Sequence, residues 1–280
     1  MFASFVIGLR EGLEAALIVG IIWAFLQRNG RSHEQVWVWT GVGLAVGLCA
    51  LVAVGLKIAS AELPERGQMM LEAGISIIAV TFVTWMIMWM RRHARTMKSS
   101  LEASTAEALA TGSIGALVVM AFLAVLREGF ETAVFLLAQF QETDRPLATG
   151  AGAVAGIAVA VVIGVGIARG GMRVDLARFF KVTGFLLVLI AAGLLAYAMH
   201  EVQELGWIAG EDVRALNLSW LAEPGTLRGA IVTGMFGIRA EPSVAEVAVW
   251  LAYAVPMGIL VLRPAGAKRS QQAEKVPATV

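Results

Sequence analysis

Apolar residues run in long blocks along this chain, and most charged residues fall in the intervals between them. A helix needs about 20 mostly apolar residues to cross a bilayer. Seven blocks meet that need, at roughly 4–26, 36–58, 69–90, 112–140, 149–168, 179–200 and 246–262. The fourth is long enough to cross at a tilt, and the seventh is short and contains Pro256. The pattern predicts an all-α polytopic membrane protein with seven transmembrane helices. Residues 1–280 then form one transmembrane domain. Helices 1–3 cover 4–90, helices 4–6 cover 112–200, an outer loop covers 201–245, the last helix covers 246–262 and a tail covers 263–280. Within the loop, Leu227 to Ile238 is apolar but too short to span, and is expected to be an interfacial or re-entrant piece.

Composition sharpens this picture. Of 280 residues, 58% are hydrophobic and 15% charged, and the mean hydropathy is +0.76. Soluble domains are about 45–50% apolar and about 25% charged, so a soluble enzyme, a nucleic-acid binder and a disordered chain all fit poorly. A net charge of +1 supplies no field to recruit nucleic acid; the expected medium is membrane lipid. The single cysteine, Cys49, excludes a disulfide framework and a thiolate metal site. Met1–Ser4 carry no side-chain charge, and Arg10, Glu11 and Glu14 interrupt the first apolar run. A cleavable signal has the opposite arrangement, so the first helix is expected to be retained.

Basic residues choose the orientation, because cytoplasmic loops are enriched in Lys and Arg. With the N-terminus outside, fourteen of the 22 basic residues lie inside, among them Arg28, Arg31, Arg91, Arg92, Arg169 and Arg263. Six lie outside: Lys57, Arg66, Arg145, Arg214, Arg228 and Arg239. The expectation is N-out and C-in. Trp37, Trp39, Trp85 and Trp89 then fall near the inner interface, and Trp207, Trp220 and Trp250 near the outer one, as in an aromatic belt. Acidic residues gather outside, which either concentrates cations there or reflects nothing beyond tolerance of export.

Two segments of the chain repeat. Residues 5–16 read FVIGLREGLEAA and residues 122–133 read FLAVLREGFETA, with seven of twelve positions identical. Chance identity would be about one position from average residue usage. The copies are three helices apart, so they cross in opposite directions. Helices 1–3 and 4–6 would then be inverted repeats, with helix 7 outside them. Transporters built this way hold their substrate near the midplane, between the repeats.

Each copy places one Arg and two Glu inside an apolar span. On a helix, Glu11 and Glu14 share a face, as do Glu128 and Glu131, and Arg10 and Arg127 each stack over an acid four residues on. Gly12 and Gly129 remove a side chain beside the acids, so another helix can approach. Ionisable groups at mid-span cost about 2.5–3.5 kcal/mol each, and must face the bundle interior or a wet cavity. Four acids against two bases leave a charge of −2, which a cation would neutralise. An oxygen-only set suits hard cations. Two alternatives stay open on residue chemistry alone: structural salt bridges between helices, and a proton relay without metal.

Secondary candidates lie elsewhere. Glu72 begins helix 3 near the outer interface, as a gate ligand or a snorkelling end residue. His200, Glu201 and Glu204 end helix 6, and His200 and Glu204 at i and i+4 form a candidate metal-capture pair or a solvated helix end. An intramembrane carboxylate-metal enzyme is the rival from another class. Di-iron bundles use a Glu-x-x-His pattern, and no Glu in this chain has His three residues later.

At REGLE (10–14) and REGFE (127–131) the chain resembles the oxidase-dependent iron permease family, with its EfeU-type bacterial members. Leu71-Glu72-Ala73-Gly74 with Thr84-Trp85-Met86 resembles that family's third helix, and His200 to Trp207 the segment after its sixth. The resemblance implies a permease, not an enzyme, that moves iron across the cytoplasmic membrane. It implies Glu11, Glu14, Glu128 and Glu131 as metal ligands supported by Arg10 and Arg127. Iron would be the transported substrate, with no tightly bound cofactor, after an external iron oxidase or periplasmic binding partner has handled it. Transport of another hard or heavy-metal cation is the alternative. The sequence predicts that Glu14→Ala and Glu131→Ala each abolish uptake while membrane insertion, read by fractionation, is intact.

Overall fold

A computed structural model of the protein describes residues 1–61, 64–93, 114–141, 145–169, 175–210, 213–222 and 236–263, with residues 103, 226, 229, 232 and 233 besides. Among the described residues it contains seven long helices: α1 (Phe2–Arg28), α2 (Gln35–Ala61), α3 (Glu65–His93), α4 (Ile114–Gln141), α5 (Pro146–Ala168), α6 (Leu176–Glu204) and α7 (Val244–Leu262). A short 3-10 turn, Ser32–Glu34, precedes α2. No strand occurs among the described residues beyond one isolated bridge, Arg214 with Ser243. Each apolar block of the sequence coincides with one helix. The tail from 264, most of the 94–113 connection and most of 223–235 lie outside the described residues. So do Arg95, Lys98, Arg173, Lys268, Arg269 and Lys275, six of the fourteen inner basic residues, and Arg228 of the outer six.

Helices form here because a chain without water must satisfy its own backbone groups, and their ends are marked in the sequence. Pro146 opens α5, where its missing N–H costs nothing. Asp175 caps α6 by accepting from the Arg178 N–H at 3.0 Å, and Ser243 caps α7 by accepting from the Glu246 N–H at 3.2 Å. Five helices are long and apolar enough to cross a membrane: α2 with its preceding turn, α3, α5, α6 and α7. α1 and α4 have similar length, but Arg10, Glu11 and Glu14, and Arg127, Glu128 and Glu131, interrupt their apolar runs.

The bundle is arranged around those two interrupted helices. α1 packs along α5, α4 along α2, and α3 along α6; α1 also meets α4, and α7 lies on α6. Exchanging helices 1–3 with 4–6 maps the α1–α5 pair onto the α4–α2 pair. The largest apolar cluster joins Val6 and Ile7 of α1, Val83 and Met86 of α3, Phe135 of α4, and Leu187 and Leu194 of α6. α2 and α5 lie on the outside and expose Leu44, Leu51, Val154 and Val162. In a bilayer such surfaces meet acyl chains instead of water.

Small residues set the closest approaches. A Cβ at Gly156 of α5 would stand 2.7 Å from the Leu9 nitrogen and 3.1 Å from the Gly8 carbonyl carbon, both backbone atoms of α1. Outside the repeats, Gly237 takes φ +60° and lies against α6, where a Cβ at Gly193 would fall 2.8 Å from the Phe236 and Gly237 backbone. Gly193 lies eleven residues before the end of α6, or about 16 Å along its axis. The 236–238 end of the apolar loop stretch therefore reaches well below the helix end. The Trp250 indole N–H donates to the Phe236 carbonyl at 2.9 Å, which satisfies one of its backbone groups.

Gly156→Val places side-chain carbon against immovable backbone, and overpacking of this kind costs about 1–3 kcal/mol. The thermal midpoint of the purified protein in detergent is expected to fall, whereas Gly43→Ala, with no atom within 4 Å of its added Cβ and better helix propensity, does not lower it. Equal midpoints for both variants would count against the packing described.

Candidate metal centre

The two repeated motifs stand midway along α1 and α4, where the helices meet. All four glutamates are buried, as is Arg10 at 1% exposure. In α1, Arg10 Nε is 3.3 Å from Glu14 Oε1. In α4, Arg127 Nε donates to Glu131 Oε1 at 3.1 Å and lies 3.7 Å from Glu128 Oε1. The two glycines face the flanking helices. A Cβ at Gly12 would be 3.0 Å from Ala160 Cβ of α5, and one at Gly129 would be 2.8 Å from Cys49 Sγ of α2. Their absence of side chain lets α5 and α2 close against the motif helices.

Three of the four acids converge. Glu11, Glu128 and Glu131 each offer a carboxylate oxygen within 4.8 Å of the others. Metal–oxygen distances for hard cations are about 2.0–2.6 Å, so one ion fits among oxygens so spaced. Both oxygens of Glu11 and Oε2 of Glu128 and Glu131 have no hydrogen-bond partner among the described residues. A buried carboxylate without a donor carries its full desolvation cost, which a cation at this point would offset. Glu14 stands outside the trio and faces Arg10.

The two arginines are not equivalent. Arg10 is sealed, whereas the Arg127 side chain is 34% exposed. The Arg127 guanidinium carbon lies 4.5 Å from the Trp89 ring centre and 5.3 Å from that of Trp85. Both rings belong to α3. The belt pattern assigned Trp85 and Trp89 to an interface, and sequence spacing alone gave no sign of their contact with α4.

The secondary candidates occupy separate positions. Glu72 on α3 accepts from the Tyr197 hydroxyl of α6 at 2.5 Å, which ties the two helices. Glu201 is buried. His200 Nε2 is 3.8 Å from Glu204 Oε1, but its Nδ1 is closer to another acid, Glu246 of α7, at 3.1 Å. By its place in the sequence Glu246 is one more acid on the outer side. Ser243-Val244-Ala245-Glu246 has the form of a capping box, which marks a helix start and conceals that the carboxylate reaches His200. None of Glu72, His200, Glu201 and Glu204 joins the three-carboxylate group.

A helical bundle with five helices long and apolar enough to cross a membrane, and buried carboxylates at its centre, has the make-up of an integral membrane protein. Residues 1–267 match the Iron permease FTR1 family, and the chain belongs to that family. It is 40% identical over 278 residues to the ferrous iron permease EfeU of Shigella sonnei (strain Ss046), covering 98% of this chain and 100% of that one. It is 39% identical over 267 residues to the ferrous iron permease EfeU of Yersinia pestis, covering 94% of each. A relative from Escherichia coli (strain K12), whose name carries the word inactive, is also 40% identical over 278 residues. No solved structure matches the chain. The family is one of permeases, and the chain is accordingly a transporter and not an enzyme.

Removing one member of a buried ion pair costs about 3–5 kcal/mol when the other is left uncompensated. Glu14→Gln removes the close ion pair that Arg10 makes. Glu131→Gln leaves Arg127 with Glu128 and two indole faces. The thermal midpoint is expected to fall further for Glu14→Gln than for Glu131→Gln; the reverse order would show that Arg10 has other support.

Proposed function

We propose that this protein is an iron permease of the cytoplasmic membrane, importing iron through a site made by its two REGxE motifs. The observation that carries the reading is the convergence of Glu11, Glu128 and Glu131, from two different helices, with unpartnered oxygens. The family and the names of the relatives supply iron as the substrate. Glu14 is the fourth glutamate of the site, beside the other three, and keeps Arg10 neutralised.

Seven crossings, inverted repeats 4–90 and 112–200, and an N-out/C-in orientation complete the proposal. The exchange of the α1–α5 and α4–α2 pairs under swapping of the repeats supports the inverted plan. The basic inner loops support the orientation. Iron arrives from an external oxidase or periplasmic binding partner, binds between α1 and α4, and leaves inward as the repeats rock about the site. The outer acids, with Glu72, His200, Glu201 and Glu204, lie on the approach.

Purified protein in proteoliposomes is expected to accumulate iron saturably, and comparison of ferrous iron, ferric iron and other divalent ions identifies the cargo. Glu11→Gln, Glu128→Gln and Glu131→Gln each remove one charged ligand, and a charge-assisted contact is worth about 1.5–3 kcal/mol, so uptake should fall at least about tenfold. Preference for a different cation would replace iron in the proposal. Metal-dependent turnover without metal movement would replace transport itself.

A further inference from the structure

We propose that Trp85 and Trp89 are positioning residues, a ring shelf that receives the Arg127 guanidinium when a cation takes Glu128 and Glu131. The inference rests on the reading of Glu11, Glu128 and Glu131 as the cargo site, and goes beyond it by giving the two motifs different duties. Arg127 contacts both α4 members of the trio, at 3.1 Å and 3.7 Å, so a cation seated among the three acids competes with Arg127 for their charge. Arg10 pairs instead with Glu14, outside the trio. The α4 arginine is therefore the counter-ion that cargo displaces, and the α1 arginine is the fixed one.

A guanidinium pushed off its carboxylate in a low-dielectric bundle is costly unless another group takes up its charge. The indole faces do so. Trp85 and Trp89 are i and i+4 on α3, so they stand together on one side of that helix. Both rings already lie within cation–π range of the Arg127 guanidinium. The planar guanidinium suits ring stacking as an ammonium does not. The partial exposure of Arg127, 34% against 1% for Arg10, leaves it more room to turn than the sealed Arg10.

The test is the dependence of uptake on iron concentration in proteoliposomes, with half-saturation and maximal rate read separately. Without the rings, Arg127 holds Glu131 more firmly against cargo. Only what the rings gain when Arg127 leaves its carboxylates counts, at most two cation–π contacts of about 0.5–1 kcal/mol each, so Trp85→Leu/Trp89→Leu should raise half-saturation by up to about tenfold. Trp85→Phe/Trp89→Phe, which keeps two aromatic faces, should restore it to within about threefold of the wild type. In an Arg127→Gln background the leucine pair should change nothing further, because the group it acts on is gone. Unchanged half-saturation in the leucine pair, or a fall confined to maximal rate, overturns the shelf while leaving the cargo site standing. A persistent leucine effect without Arg127 also overturns it. Absence of saturable uptake by the wild-type protein overturns the cargo site and the shelf together.

Discussion

Buried carboxylate charge is the constraint on which the rest of this molecule depends. Four glutamates lie in the interior with two arginines to balance them. Ionised groups in a bundle surrounded by hydrocarbon are expensive, and the arrangement of α1 and α4 limits that expense. Each motif carries its own arginine four residues before its second acid, and the packed helices bury all four glutamates and Arg10. What local pairing does not cover is concentrated where Glu11, Glu128 and Glu131 face one another.

The remaining helices follow from that demand. α5 and α2 can close over the motifs because Gly12 and Gly129 present no side chain to them. Their outer faces are then free to be uniformly apolar. α3 and α6 complete the enclosure and carry the links that hold it, with Tyr197 donating to Glu72 between them. α7 adds a further strap: Tyr253 shares a 2.8 Å hydrogen bond with Thr84 of α3, and Glu246 reaches His200 of α6. Polar contacts between helices have particular weight here, since association in a bilayer lacks the hydrophobic drive available in water.

Near-identical motifs need not have identical surroundings. Arg10 faces tight packing, while Arg127 faces indoles from α3. Under the proposed reading, a site made of two unequal halves fixes one counter-ion and exchanges the other, so that a charged chamber persists without cargo and still admits it.

The positions and types of the helices were determined by the sequence, because a segment that must satisfy its own backbone in lipid announces itself by length and hydropathy. The doubled REGxE pattern likewise singled out the acids that the fold buries together, since ionisable residues are costly in an apolar run. Tertiary structure alone decided that Glu14 would face Arg10 while the other three acids converge, that Trp85 and Trp89 would lie on Arg127, and that Glu246 would meet His200. These are contacts between separate helices, set by the rotation and height at which the helices pack. Residue spacing gives the face of each helix but not the depth at which another helix's side chain meets it.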